Sequence, residues 1–441
     1  AGAFVYLKGA PERILAMCSR QMGDEGPEPL DPDIWSDRTE ALASQGQRIL
    51  AFATKQMPQD HRNLSFADVE DDATLLGLVG LIDPPRGEAI AAVAECHSAG
   101  IRVIMITGDH RATAGAIARH LGLAVDPKVV TGQELESLDT AALQDIARDT
   151  TVFARTSPEN KLRLVEALQA TGAVVAMTGD GVNDAPALKR ADIGVAMGIK
   201  GTEAAKEASE MVLADDNFAS IVDAVREGRT AYDNLKKVIA WTLPTNGGES
   251  FAIIGAVLFG LTLPVTPIQI LWVNMITAVS LGLTLAFEPT EPGVMHRPPR
   301  AADEPLLSGF LVWRILFVSV LFVVAVFGMF FWAQARGLSL ELARTLVVNT
   351  LVVMQISYLF SIRQLHGSQK CRHVLGTRAV LIGVAAVGLA QLAFTYHPWM
   401  QLAFATQPVD YVSALGIIGI GISMFLVIEL EKHLLQNLRR R

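Results

Sequence analysis

Hydrophobic patterning divides the 441 residues into two regimes. Up to about Tyr232, short apolar runs alternate with stretches of helical period. From Val238 onward, long apolar runs dominate. Early in the chain, Phe4-Val5-Tyr6-Leu7, Gln47–Ala53 and Leu76–Ile82 read as strands, built from residues that suit a pleated, half-buried surface. Gly9 and Pro11 end the first, and Glu12 to Cys18 can start a helix. Asp83-Pro84-Pro85-Arg86 closes the third, and its paired prolines make a stiff link. Between Arg86 and about Gly228, helices are expected over Glu88–Ala99, Ala112–Leu121, Leu138–Ala147 and Glu159–Ala170. They alternate with strands over Ile101–Ile106, Thr151–Ala154, Ala173–Ala176, Ile193–Met197 and Met211–Ala214. Such alternation predicts an α/β doubly wound parallel sheet.

Six apolar runs follow, each long enough to span about 30 Å of hydrocarbon. They are roughly Val238–Leu261, Ile268–Phe287, Phe310–Phe331, Leu342–Phe360, Ala379–Phe394 and Val412–Leu430. This predicts an all-α membrane domain of six helices in a lipid bilayer, most simply a cell membrane. Basic residues collect in Arg297-Pro298-Pro299-Arg300, from Arg363 through Arg378, and in Arg439-Arg440-Arg441. Val265-Thr266-Pro267 and the stretch from Tyr396 to Asp410 carry none. The excess of positive charge on cytoplasmic loops then puts the soluble half and the C-terminus together in the cytoplasm.

Composition sharpens the picture. Mean hydropathy is +0.34 and the net charge is −8, with the acidic excess in the first half. An acidic soluble part argues against nucleic-acid binding. Cys18, Cys96 and Cys371 are isolated, which suggests neither a disulfide framework nor a metal cage. The chain opens at Ala1 directly into an apparent strand, so a fragment of a longer protein is expected.

Candidate chemistry clusters at strand ends, where open α/β sheets place their ligands. Met177-Thr178-Gly179-Asp180-Gly181-Val182-Asn183-Asp184-Ala185-Pro186 sets two carboxylates beside a tight turn, an arrangement that suits Mg²⁺. Thr107-Gly108-Asp109 follows another strand, where a hydroxyl and free amides can hold a phosphoryl oxygen. Arg155 follows a third. Lys161 lies near a helix start, where the dipole already favours an anion.

The ten-residue string resembles the signature hinge loop of P-type cation-transporting ATPases, members of the haloacid dehalogenase superfamily. Thr107, Lys161 and the Asp180/Asp184 pair match that superfamily's hydroxyl, lysine and double-aspartate motifs in order. The resemblance implies the distal part of a nucleotide-binding domain over 1–83, a phosphorylation domain over 84–232 and a membrane domain over 233–441. It implies ATP and Mg²⁺ as cofactors. Asp180 would ligate Mg²⁺, with Asn183 and Asp184 orienting the ion and the phosphate. Thr107, Gly108 and Lys161 would hold the phosphoryl group, and Arg155 and Asp109 would bridge to nucleotide or stabilise closed domains. Lys8, in a Lys-Gly-Ala-Pro-Glu string, would line the adenine pocket, and Arg48 would fork the nucleotide phosphates. Tyr232 to Trp241 would carry phosphorylation changes into the spans. The family's nucleophile, the first Asp of an Asp-Lys-Thr-Gly-Thr string, is absent. It would lie upstream, together with the actuator domain and the first four membrane helices, and the chain alone would be inactive.

Six helices after the phosphorylation domain resemble the Ca²⁺, Na⁺/K⁺ and H⁺ branches of that family. Pro244-Thr245-Asn246-Gly247-Gly248-Glu249 breaks the first span, and Asn246 and Glu249 are spaced to share a face. An intramembrane carboxylate is by default a functional hypothesis. Asn274 and Thr277 share a face of the second span, and Gln355 lies in the fourth. Calcium-type pumps resemble this set as cation ligands, but they carry an Asp where this chain has Ala278. Two other classes compete. One is a membrane-tethered phosphatase of the same superfamily, and the other a non-catalytic truncated homologue.

Overall fold

A computed structural model describes residues 3–58, 63–81, 84–301, 304–363 and 377–439. It divides into two compact units. One comprises Ala1–Val225 with Met295–Ala302, the other Arg226–Val294 with Asp303–Arg441.

The first unit opens with β1 (Ala3–Gly9), α1 (Pro11–Ala16), β2 (Cys18–Gly23), β3 (Gly26–Pro29), α2 (Pro32–Ser44), β4 (Arg48–Met57) and β5 (Ala73–Leu81). The five strands form one sheet in the order β1-β4-β5-β2-β3, antiparallel except for the β2–β5 pair. Strand alternation sends Ala51, Ala53, Ala73 and Leu75 into a core with Ile14 and Cys18. It leaves Phe4, Tyr6 and Lys8 on the exposed side of β1. The Asp83 end of the expected stiff link lies outside the described residues.

The alternating region follows: α3 (Gly87–Ser98), β6 (Met105–Thr107), α4 (Arg111–His120), β7 (Val129–Thr131), α5 (Gly132–Glu136), α6 (Thr140–Asp149), β8 (Val152–Ala154), α7 (Pro158–Ala170), β9 (Ala176–Gly179), α8 (Ala185–Arg190), β10 (Ile193–Met197), α9 (Glu203–Glu207) and β11 (Met211–Leu213). All these strands pair in parallel, in two three-stranded sheets ordered β6-β8-β7 and β11-β10-β9. Ile106 of β6 packs against the core around Met177 of β9 and Leu188 of α8. The α/β architecture is therefore the expected one, with its parallel strands in two sheets.

Two strand boundaries differ from expectation. The apolar run Ala173–Ala176 leads into the key loop, yet pairing with β10 starts only at Ala176. Val174 is 68% exposed, and the Asp192 carboxylate takes the Val175 amide at 2.8 Å, so a side chain replaces the ladder there. The Ile101–Ile106 run likewise pairs with β8 only from Met105.

Helix α10 (Phe218–Leu258) begins in the first unit and ends in the second. It contains the first expected span. The rest of the second unit is α11 (Pro267–Thr277), a π-helical turn (Ala278–Gly282), α12 (Leu283–Ala286), α13 (Gly309–Ala335), α14 (Leu340–Ile362), α15 (Arg378–Tyr396), α16 (Pro398–Phe404) and α17 (Tyr411–Arg439). Among the described residues, five segments are long and apolar enough to cross a membrane: Pro267–Ala286, Gly309–Ala335, Leu340–Ile362, Arg378–Tyr396 and Tyr411–Leu435. The sixth expected span is diluted by the polar Thr245–Ser250 stretch of α10. In α14, 72% of the apolar window is buried, against 28–39% in the other four, which makes α14 the centre of the bundle. Most of the basic linker from Arg363 to Arg378, with Cys371, lies outside the described residues, as do Arg440 and Arg441.

Candidate functional site

The loop after β9 is organised by one carboxylate. Asp184 ends a 3₁₀ turn, Val182–Asp184, and is buried. Its Oδ2 accepts the amides of Asp180 at 3.3 Å and Gly181 at 3.2 Å. Its Oδ1 accepts Lys161 Nζ at 2.6 Å. Lys161 comes from the first turn of α7, which Ser157 caps through the Asn160 amide at 3.2 Å. A side chain at Gly179 would collide with Asp184, so glycine is required for the carboxylate to fold back over the strand end. The Thr202 amide holds the Asp180 carbonyl at 2.8 Å. The Asp180 side chain is exposed, and among the described residues its carboxylate has no hydrogen-bond partner. Asn183 is exposed beside it.

At the end of β6, Thr107 Oγ1 accepts the Asp109 amide and donates to Asp109 Oδ2, both at 3.1 Å, while Gly108 is exposed. At the end of β8, Arg155 has a left-handed backbone, φ 51°, a conformation that costs energy in a residue with a side chain. Its Nη2 donates to Glu12 Oε1 at 2.5 Å, across 143 residues of chain. Burial alone would raise the Glu12 pKa. The backbone hydrogen bond at Glu12 and then Arg155 outweigh burial and hold it below the usual carboxylate range. Glu12 belongs to the Lys-Gly-Ala-Pro-Glu string, but no spacing in the sequence reveals a partner so distant. Asp192 is also held low, chiefly by the Val175 amide, so it is ionised where it closes the approach to β9.

Lys8 and Arg48 lie in the five-stranded sheet, Lys8 opposite Phe52 and Arg48 opposite Leu81. Both are exposed, and among the described residues neither side chain pairs with the strand-end cluster.

The second unit gathers three of the five expected membrane positions. Glu249 is 3% exposed, and its Oε1 accepts Gln355 Nε2 at 3.0 Å, joining α10 to α14. The Asn274 side chain of α11 lies close to the same carboxylate. Glu249 Oε2 and Gln355 Oε1 are buried, and among the described residues neither has a hydrogen-bond partner. Thr277 is buried, but its hydroxyl is spent on the Val273 carbonyl at 2.8 Å. Asn246 is exposed, so the face it shares with Glu249 by spacing is only partly turned to the core. The π-helical turn begins at Ala278, next to Thr277. Turns of this kind inside α-helices are frequent at functional sites.

Parallel strands that present a hydroxyl, a lysine and paired aspartates at their ends define a haloacid dehalogenase-like unit. The sequence model "haloacid dehalogenase-like hydrolase" matches residues 13–192, and a second of the same description matches 161–225. A third, "Cation transporting ATPase, C-terminus", matches residues 262–434. The chain is 48% identical over 429 residues to a "Probable cation-transporting ATPase F" of Mycobacterium tuberculosis, which covers 96% of this chain and 47% of that protein. It is 47% identical over 420 residues to "Cation-transporting ATPase pma1" of Synechocystis, covering 93% and 46%. With the "Calcium-transporting ATPase" of Bacillus subtilis it shares 40% identity over 426 residues, covering 95% and 48%. The chain belongs to the P-type cation-transporting ATPases. It spans about half the length of the curated relatives it matches.

Proposed function

We propose that this chain forms the phosphoryl-handling and cation-binding half of an ATP-driven cation pump that works through an aspartyl-phosphate. The observation that carries the reading is a pair of oxygens, Glu249 Oε2 and Gln355 Oε1, buried in the helical bundle with no hydrogen-bond partner among the described residues. Leaving such groups unsatisfied costs free energy, and a cation coordinated by oxygen would relieve it. A phosphatase merely anchored by helices has no use for them.

In the soluble half, the exposed, unpaired Asp180 carboxylate at a strand end fits Mg²⁺, which usually takes one or two carboxylates and keeps several waters. Asp180 would hold the ion, with Asn183 and Asp184 orienting it. The ion supplies charge neutralisation at the phosphate. Lys161 adds a fixed positive charge, and Thr107 and Gly108 offer a hydroxyl and an amide to phosphoryl oxygens. Arg155 and Asp109 would bridge toward nucleotide, and Lys8 and Arg48 would contact ATP in a nucleotide-binding region over 1–83. Among the described residues, β6 and β9 are edge strands of the sheets β6-β8-β7 and β11-β10-β9, each paired on one side only. A parallel strand inserted between them would end beside Thr107, Lys161 and Asp180. We assign the acceptor aspartate to such a strand, in a partner portion that also holds the actuator domain and four membrane helices. Residues 84–232 would be the phosphorylation domain and 233–441 the membrane domain, in a cell membrane with the soluble parts and C-terminus cytoplasmic. Tyr232 to Trp241, early in α10, would carry phosphorylation changes into the spans.

Glu249, Asn246, Asn274, Thr277 and Gln355 supply one carboxylate and neutral oxygens, and Ala278 adds none. That favours at most one divalent ion per cycle, Ca²⁺ by preference. The test is cation-stimulated ATPase and equilibrium ⁴⁵Ca²⁺ binding in the complete pump. Glu249→Gln is expected to remove cation activation. Two Ca²⁺ per phosphorylation site would refute the count, and unchanged activation in Glu249→Gln would refute the site.

A further inference from the structure

The sequence pattern suggests a break at Pro244, yet α10 runs on through that proline, five residues before Glu249. A proline inside a helix has no N–H, so the carbonyl four residues earlier loses its intrahelical donor. That carbonyl belongs to Ala240, which is fully buried. In a bundle that excludes water, an orphaned carbonyl must be satisfied by a neighbouring helix. Tyr358 of α14 does this, its Oη donating to the Ala240 carbonyl at 2.7 Å. Tyr358 is itself 0% exposed, and a buried phenol needs a partner as much as the carbonyl does. Two further ties close around the same proline. Trp241 Nε1 donates back to the Gln355 carbonyl at 3.2 Å, and Ser319 Oγ of α13 donates to the Pro244 carbonyl at 3.1 Å. Glycines at 247 and 248 let α13 approach this closely, because a side chain at either would meet Ser319 or Phe322.

Gln355 and Tyr358 are three residues apart on α14, on neighbouring positions of one face. One contacts Glu249 on the far side of Pro244, and the other holds Ala240 on the near side. The same turn of α14 therefore grips α10 both before and after Pro244. We propose that Tyr358 is a positioning residue. By supplying the donor that Pro244 lacks, it fixes the path of α10 at the proline and so the register of Glu249 against Gln355. The consequence for cations rests on the function proposed above, whereas the clamp itself does not.

The clamp predicts coupling between two side chains that do not exchange a hydrogen bond. Tyr358→Phe removes the hydroxyl and leaves Ala240 unsatisfied, but only while Pro244 is present. Pro244→Ala restores an N–H to the helix ladder and makes the hydroxyl dispensable. In the complete pump, Tyr358→Phe is expected to raise the cation concentration for half-maximal activation about tenfold, the order set by a buried unsatisfied acceptor. Phosphorylation from inorganic phosphate without cation should be retained. In the Pro244→Ala background the same substitution should shift activation less than about twofold on that scale. Equal shifts in both backgrounds, or none in either, would overturn the proposal. Thermal unfolding of the same four proteins separates the two inferences. If no cation activates even the unmutated pump, the proposed function fails. The clamp then stands if Tyr358→Phe lowers the melting temperature only with Pro244 in place, and falls if the loss is the same without it.

Discussion

Lys161 Nζ stands 2.6 Å from Asp184 Oδ1, and the other oxygen of that carboxylate gathers the amides of Asp180 and Gly181. One buried group thus ties the start of α7 to the loop that presents Asp180. Removing the lysine leaves the buried Asp184 carboxylate without its cation. Lys161→Ala is expected to destabilise the first unit by about 2 kcal/mol, below the roughly 3–5 kcal/mol of a fully buried pair because the lysine is partly exposed. Chemical denaturation checks this. Phosphoenzyme formation in the complete pump should fall with it.

Asp180 is the opposite case. Its carboxylate is exposed and unpaired among the described residues, so Asp180→Asn should leave stability within about 0.5 kcal/mol. Acid-stable labelling from ATP should be lost. A normal melt with normal labelling would remove Asp180 from the site.

Lys8 is exposed on β1, away from every hydrogen bond of the strand-end cluster. Lys8→Ala should weaken ATP binding several-fold, on the order of 1 kcal/mol for one charge-assisted contact. Labelling from inorganic phosphate should be unchanged. Equal loss of both activities would make Lys8 structural.

The Glu12–Arg155 contact gives a pH signature. The Glu12 pKa is lowered in the folded protein, so the carboxylate contributes stability above its unfolded value. That contribution disappears as pH falls through the folded value. Both side chains are about half exposed, which limits the effect to under about 1 kcal/mol. Thermal melts of Glu12→Gln should match the unmutated chain at the acid end and fall slightly below it near neutrality. A gap that widened toward low pH would contradict the assignment.

The sequence made the strand-end chemistry legible because each motif is local. Thr107 with Asp109, and Asp180 with Asp184, are set by turns of a few residues. Lys161 followed from helix-start chemistry, and it meets Asp184 because α7 leads into β9, whose loop carries that carboxylate. The run Ala173–Val175 misled because apolarity marks burial, whereas the ladder starts where β10 can reach it. The partnership of Glu12 with Arg155 was hidden because it depends on how a helix of one sheet meets a strand end of another. Asn246 shows the limit of helical spacing. Three residues separate it from Glu249, yet one is exposed and the other is not, since a helix face is finally defined by what packs on it.

The separation of the parallel strands into two ladders has a practical consequence for handling the chain. Strands β6 and β9 each carry main-chain donors and acceptors on a side that no other described strand occupies. Such an edge is a template for any extended chain, including the same edge of a second molecule. Preparations of this chain at high concentration should therefore self-associate through its soluble part even in good detergent, and a short β-forming peptide with a charged tail should keep them dispersed.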